Sequence, residues 1–348
     1  MKSFQIVVLP GDGIGADVVA EGVRVLRAVE AKLAGVTFQL TEHPCGAGEY
    51  LKNGDPLPAS TMQACRKSDA ILLGAMGLPH VRWPGGTEMA PQLDLREELE
   101  LYGGVRPIRL YQPSHSPLKN GERIDFVLYR ENTEGLFSSR KNTRPPGATE
   151  VIDSLRITRR GSERLFRAAF RHAQRRRKHV TLIDKANVLP SMAFFREIFN
   201  EIAKEFPDVD ADHVYVDAVA LYLVQRPQRY DVLVTENMFG DILSDLAAGI
   251  VGGMGMAPSG DIGDHNAVFQ PSHGSAPDIG GKGIANPIAT ILSVAMMLEW
   301  LPSEESRRGA AMIQSAVERF CEDPNRATPD LGGKWTTQQT GAWIAADV

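Results

Sequence analysis

Short apolar runs bounded by glycine and proline alternate along this chain with longer segments whose apolar positions recur every three or four residues. That alternation predicts an α/β architecture. Residues 4–9 read as a strand, LPGDGIG as a tight glycine turn, and residues 16–33 as a helix with Val18, Val19, Val23, Leu26 and Val29 on its apolar face. Further strands are predicted at residues 36–42 and 69–74, a helix at 91–101 and a strand at 105–110. Four more strands follow at 124–129, 180–183, 214–216 and 231–235, with a helix over 163–178 and another opened by Gly240. Beyond a glycine-rich stretch, a short strand at 267–270 and two helices at 284–301 and 306–321 close the chain.

Length and composition change this picture only modestly. A chain of 348 residues with 43% hydrophobic content can bury a sizeable core and divides more naturally into two lobes than one. Its net charge of -5 argues against a nucleic-acid or membrane-surface role. The basic back of the 163–178 segment reads as a solvated helix face with cations toward the C-terminus, because no aromatic residues interleave the charges. Cys45, Cys65 and Cys321 have neither metal-ligand spacing nor even pairing, which predicts free thiols in a reducing compartment. The opening MKSFQIVVLPGDG runs directly into a strand, and the apolar run at 284–301 is broken by Asn286, Pro287, Ser293 and Glu299, so the expectation is a cytoplasmic protein with no membrane span. Residues 138–148 (SSRKNTRPPGA) are expected to form a mobile excursion.

Candidate chemistry gathers where predicted strands end. Arg130, Lys185, Asp217 and Asp241 each follow one in succession, and in α/β sheets the carboxyl ends of strands are where ligands bind. Asp241 and Asp245 stand four apart on one helix face, where like charges repel. A hard divalent cation such as Mg²⁺ or Mn²⁺ would offset that repulsion. Alternatively Asp241 is a helix N-cap and Asp245 a solvated surface residue. Gly11, Gly13 and Gly15 resemble a dinucleotide turn, but Ala16 stands where the third glycine of the Rossmann fingerprint belongs. The loop PSHGSAPDIGGKGIANP offers backbone amides to phosphates, and Asp278 is suited to a ribose diol.

LPGDGIG, LREELELYGGVRP, RENTEG, DKANVL, VDAVALYLV, VTENMFGDILSDLAA and HGSAPDIGGKGIANP, in this order over nearly the whole chain, resemble the β-decarboxylating isocitrate/isopropylmalate dehydrogenases, a family that includes homoisocitrate and tartrate/D-malate dehydrogenases. The resemblance implies a two-domain α/β fold that is not a Rossmann fold. Residues 1–99 with 252–348 would form the cofactor-binding domain, and 100–251 the substrate, metal and dimerisation domain. It implies a homodimer with shared active sites acting on a hydroxy diacid. Arg96, Arg106 and Arg130 would clamp substrate carboxylates, with Gln92 and Met89 reading the rest of the substrate. Asp241 and Asp245, with Asp217 of a neighbouring subunit, would hold the cation, and Lys185 of that neighbour would take the hydroxyl proton. Asp12, Gly13, Ile14, His273, Gly274, Ser275, Ala276, Pro277, Asp278 and Asn286 would line an NAD site, Asp278 favouring NAD over NADP.

Two departures from the family pattern bear on function. RENTEGLF places Phe137 where catalytic members carry a tyrosine, and phenylalanine has no proton to give. This leaves open an active enzyme with another proton source or a non-catalytic regulatory subunit. The specificity segment GGTEMAPQLDLR places Ala90 and Gln92 where the family's isocitrate-reading Ser and Asn stand, and keeps only part of an alkyl pocket in Leu93 with Met89. A 3-isopropylmalate-like substrate is favoured, with tartrate/D-malate and isocitrate/homoisocitrate as alternatives.

Overall fold

The computed structural model describes residues 2–119 and 123–348. In chain order its elements are β1 (Lys2–Gly11), α1 (Gly15–Glu30), β2 (Val36–Glu42), α2 (Ala47–Asn53), α3 (Ala59–Lys67), β3 (Ala70–Ala75) and α4 (Pro91–Glu98). Next come β4 (Gly103–Arg109), β5 (Asp125–Glu131), α5 (Arg159–Ala173), β6 (His179–Asp184), α6 (Pro190–Ala203), β7 (Asp210–Tyr215), α7 (Val216–Gln225), β8 (Val232–Thr235) and α8 (Asn237–Gly249). The chain finishes with β9 (Pro258–Ile262), β10 (Ala267–Pro271), α9 (Ile288–Trp300), α10 (Glu304–Glu322) and α11 (Thr337–Asp347). It divides into two compact units, Met1–Leu99 with Gly252–Val348, and Glu100–Val251.

In the first unit the strands lie in the order β2-β1-β3-β10-β9. All neighbours are parallel except β9, which returns antiparallel to β10. β3 is buried along its whole length, as expected of a strand covered on both faces, so its apolar run does not alternate. Helix α9 is likewise buried almost all round, and hence lacks an amphipathic stripe. It begins at Ile288 rather than 284, because the Asn286 side chain accepts the Ile288 amide at 3.0 Å and Pro287 precedes the first turn.

Helices α2, α3 and α11 were not expected. They escape hydrophobic patterning because little of what they bury is large and apolar: α3 buries Thr61 and Cys65, α11 buries Thr337, Thr340, Gly341 and Ile344. A capping box between Thr336 and Gln339 starts α11, while α2 is started from outside by the Asp12 carboxylate, which accepts the Ala47 and Gly48 amides.

Strands of the second unit lie in the order β4-β5-β8-β6-β7. β4 is antiparallel to β5, and the other four are mutually parallel. One face packs Phe126, Leu128, Leu233 and Tyr230 against Leu223 and Leu243. On α5 and α6, Phe166, Phe170, Phe195 and Phe199 form an aromatic cluster with centroids 4.6 to 5.4 Å apart, a spacing that adds to simple burial.

Helix α5 runs from 159 to 173 rather than over 163–178, because the Thr158 hydroxyl accepts the Gly161 amide and sets its start. Most of the basic residues of this segment are exposed, as expected of a solvated face, but Arg176 is largely covered. Arg176 donates to Asp231 and Asp125, both at 2.8 Å, and Arg177 to the Asp125 carbonyl at 2.9 Å. All three cysteines are free and buried. Among the described residues, no helix is long and apolar enough to cross a membrane.

Candidate functional site

Because β5, β8, β6 and β7 are parallel, their carboxyl ends fall on one edge of the second unit. Arg130 lies near the end of β5, Lys185 directly follows β6, Asp217 sits in the first turn of α7 after β7, and α8 follows β8. Gly240 does not open α8. The helix starts at Asn237, capped by the Glu236 carboxylate, which accepts the Phe239 amide at 2.6 Å, so Asp241 lies within the helix and is not its N-cap.

Gly240 serves packing instead. A Cβ there would lie 2.6 Å from Cγ of Arg130, which crosses the helix at that point. The crossing lets Arg130, itself buried, donate through Nε and Nη2 to Asn237 Oδ1 at 3.0 and 2.8 Å and through Nη1 to Asp241. Asn237 thus positions the Arg130 guanidinium. The Phe137 ring sits 5.2 Å from the Arg130 Cζ, a cation–π contact in place of a phenol.

One turn beyond Asp241, the Asp245 carboxyl is pushed above the usual carboxylate range by surrounding protein and by Asp241, and Arg106 and Arg130 oppose that rise. Two mutually repelling aspartates on the open side of a helix, only partly offset by Arg130 and Arg106, are oxygen donors of the kind a hard divalent cation takes. Lys185 Nζ is 2.8 Å from Asp217 Oδ1, and this lysine pairing holds the Asp217 carboxyl below its ordinary value. Among the described residues no group of three metal-ligating side chains forms within the chain, so Asp217 is not brought together with Asp241 and Asp245 in one copy. Within one copy, Asp241 and Asp245 are the carboxylates that this helix face offers to a hard cation.

Two loops meet in the first unit. Ile14 donates its amide to Ser275 O at 2.7 Å, and Gly13, at φ +55°, leaves room for only a hydrogen, since a Cβ would lie 2.0 Å from that same carbonyl. Ala276 adopts φ +35°, a strained backbone for a residue with a side chain. The His273 ring accepts no charge easily, because burial depresses its basicity, and its buried Nε2 has no hydrogen-bond partner. Gly274, Pro277 and Asp278 are exposed beside it. An orphaned nitrogen beside exposed glycine amides and a free-standing carboxylate is a donor and acceptor set that a dinucleotide can satisfy.

Asp12 and Asn286 are engaged differently from the expectation that they line this site. The Asp12 carboxylate accepts three backbone amides, from Ala47, Gly48 and Gly77, at 2.7 to 2.8 Å. Asn286 donates to Asp330 at 3.1 Å while its oxygen holds the start of α9. Both act structurally in this conformation.

Of the specificity segment, Met89 is 1% exposed and packs on Ala47 and Val81, so it belongs to the core rather than to an open pocket. Gln92 keeps a buried Oε1 without a donor. Arg96, also buried, gives its Nε to Asp261 at 3.0 Å, and Gln270 donates to the same carboxylate oxygen at 2.7 Å.

A two-unit α/β enzyme with a basic and acidic strand edge in one unit and paired glycine loops in the other is the class these observations define. The chain belongs to the isocitrate/isopropylmalate dehydrogenase family, whose family model, described as "Isocitrate/isopropylmalate dehydrogenase", matches residues 5–345. It is therefore an enzyme of the decarboxylating 2-hydroxy-acid dehydrogenase type, with this family's fold rather than a Rossmann fold. A 3-isopropylmalate dehydrogenase of Aquifex aeolicus is 43% identical over 95% of this chain and 92% of its own length. One from Corynebacterium aurimucosum is 46% identical over 90% and 92%. Among solved structures, an isocitrate dehydrogenase from Methylococcus capsulatus superposes with a TM-score of 0.90 at 39% identity, covering 99% of both chains.

Proposed function

We propose that this enzyme oxidises and decarboxylates a malate-type 2-hydroxy diacid, 3-isopropylmalate-like, with NAD and Mg²⁺ or Mn²⁺, as a homodimer with shared active sites. The observation that carries the reading is the convergence of Arg130, Asp241 and Asp245 on α8, beside Arg106, on a chain over 40% identical to 3-isopropylmalate dehydrogenases. The homodimer is supported by the exposed Leu221 and Val224 of α7 and Ile242 of α8, apolar side chains on two neighbouring helices.

Arg106 and Arg130 bind substrate carboxylates, for which the planar guanidinium is suited. When bound, the cation supplies Lewis acidity and the nicotinamide a hydride acceptor. Asp241 and Asp245, with Asp217 of the second copy, would hold the cation. Lys185 Nζ, as the neutral amine, takes the proton of the C2 hydroxyl and, as the ammonium so formed, returns one to the carbon that loses the carboxylate. This last role matters because Phe137 has no proton to donate. The loop of His273 to Asp278, with Gly13 and Ile14, holds NAD, and the Asp278 carboxylate disfavours a 2′-phosphate.

A tartrate-type substrate is a second reading, favoured by Gln92, whose buried oxygen lacks a donor that an additional substrate hydroxyl would supply. Turnover of 3-isopropylmalate, tartrate, D-malate and isocitrate with Mn²⁺, in NAD and NADP side by side, tests both. NADH formation from the alkylmalate, abolished by chelator, is expected. The proposal fails if no 2-hydroxy diacid yields NADH.

A further inference from the structure

We propose that Tyr215 and Arg196 are positioning residues that fix the Lys185 ammonium for proton transfer, an inference that rests on the proton-handling role given to Lys185 above. The topology brings them together. β6 and β7 pair in parallel with Asp184 opposite Tyr215, so Lys185 leaves its strand beside the last residue of the next. Its Nζ lies 5.7 Å from the centroid of the Tyr215 ring, and the Arg196 Cζ lies 5.2 Å from the same centroid.

Arg196 is held in turn by Asp184, which is wholly buried. The guanidinium donates through Nε to Oδ2 at 2.7 Å and through Nη2 to Oδ1 at 2.6 Å, a two-pronged pairing of fixed geometry. Asp184 Oδ1 also accepts the Ala186 amide at 3.0 Å. The residues on either side of Lys185 are therefore tied to one carboxylate, and that carboxylate is tied to the guanidinium on the Tyr215 ring.

The contact to Asp217 cannot do this work alone. Its side chain is 67% exposed, and an ion pair so open to water does little to immobilise a long lysine. A lysine side chain has several rotatable bonds, and a proton donor displaced by about 1 Å loses much of its rate advantage. The aromatic face gives the ammonium a second, directional contact, and the Asp184–Arg196 pair keeps that face and the lysine backbone in register. On this reading the ring carries the contact to Lys185, while the phenol adds a hydrogen bond with Arg196.

The test uses the full-length enzyme and whichever diacid of the panel gives NADH. Tyr215→Leu is expected to lower kcat by about tenfold to a hundredfold while KM for the diacid stays within about twofold. The solvent deuterium isotope effect on kcat is expected to rise in that variant, which a loss of folded enzyme alone would not cause. Tyr215→Phe, which keeps the ring, is expected to restore kcat to within about threefold of the unmodified enzyme. Because emptying position 196 would leave Asp184 buried and unpaired, Arg196→Lys is the companion variant, with the same direction of change and a smaller size. Wild-type kcat and isotope effect in Tyr215→Leu would overturn the proposal, as would failure of Tyr215→Phe to restore turnover. Lys185→Met separates the two levels: activity retained there removes the proton-handling role itself, whereas loss there with normal Tyr215→Leu removes only the positioning role.

Discussion

Gly240→Ala tests how tightly α8 and Arg130 are interlocked. Inside a helix, alanine is intrinsically better than glycine by about 1 kcal/mol. Here the new methyl would lie 2.6 Å from Cγ and 2.7 Å from Cβ of Arg130, and 3.2 Å from Cγ2 of Thr235. Overpacking of this kind costs about 1–3 kcal/mol, so net destabilisation of about 0–2 kcal/mol is expected. The larger consequence is local. To reach ordinary contact distance Arg130 must withdraw by roughly 1 Å, which breaks or lengthens its bonds to Asn237 and Asp241. A clamp moved that far costs on the order of a hundredfold in turnover. Chemical denaturation and steady-state kinetics on the same preparation separate the two effects: a small shift in the unfolding midpoint should accompany a large loss of kcat/KM. Stability above that of the unmodified enzyme, with activity within about twofold, would refute the interlocking.

Asp241→Asn is expected to weaken Mn²⁺ binding by about tenfold or more, read by titration with substrate present, and to abolish most NADH formation. Phe137→Tyr should raise the rate of carbon dioxide release by about tenfold or more, since a positioned general acid is worth at least that much, and an unchanged rate would show that no phenol is needed. His172 has its pKa lowered from 6.5 to about 4, by burial first and then by Arg176 and Arg175. The unfolded chain therefore binds a proton that the folded chain refuses, so this contribution is intact above pH 6.5 and is lost as pH falls toward 4, by up to about 3 kcal/mol. Urea midpoints across that window should fall less steeply for His172→Gln than for the unmodified chain. Equal slopes would remove His172 as the cause.

The sequence by itself determined the α/β class, because apolar runs at strand and helix spacing survive in one dimension, and the family, because long motifs such as VTENMFGDILSDLAA keep their order. It also set Asp241 and Asp245 one turn apart, a spacing fixed by helix geometry alone. Only the tertiary structure decided what those residues touch. Gly240 looked like a helix opener and is a crossing point for Arg130; the Asp12 carboxylate holds the start of α2, and Met89 packs on Ala47 and Val81. Each of these outcomes depends on a partner distant in sequence, for which local pattern carries no signal. Tyr215 and Arg196 reach Lys185 for the same reason: parallel pairing of β6 with β7 makes neighbours of residues that the chain separates.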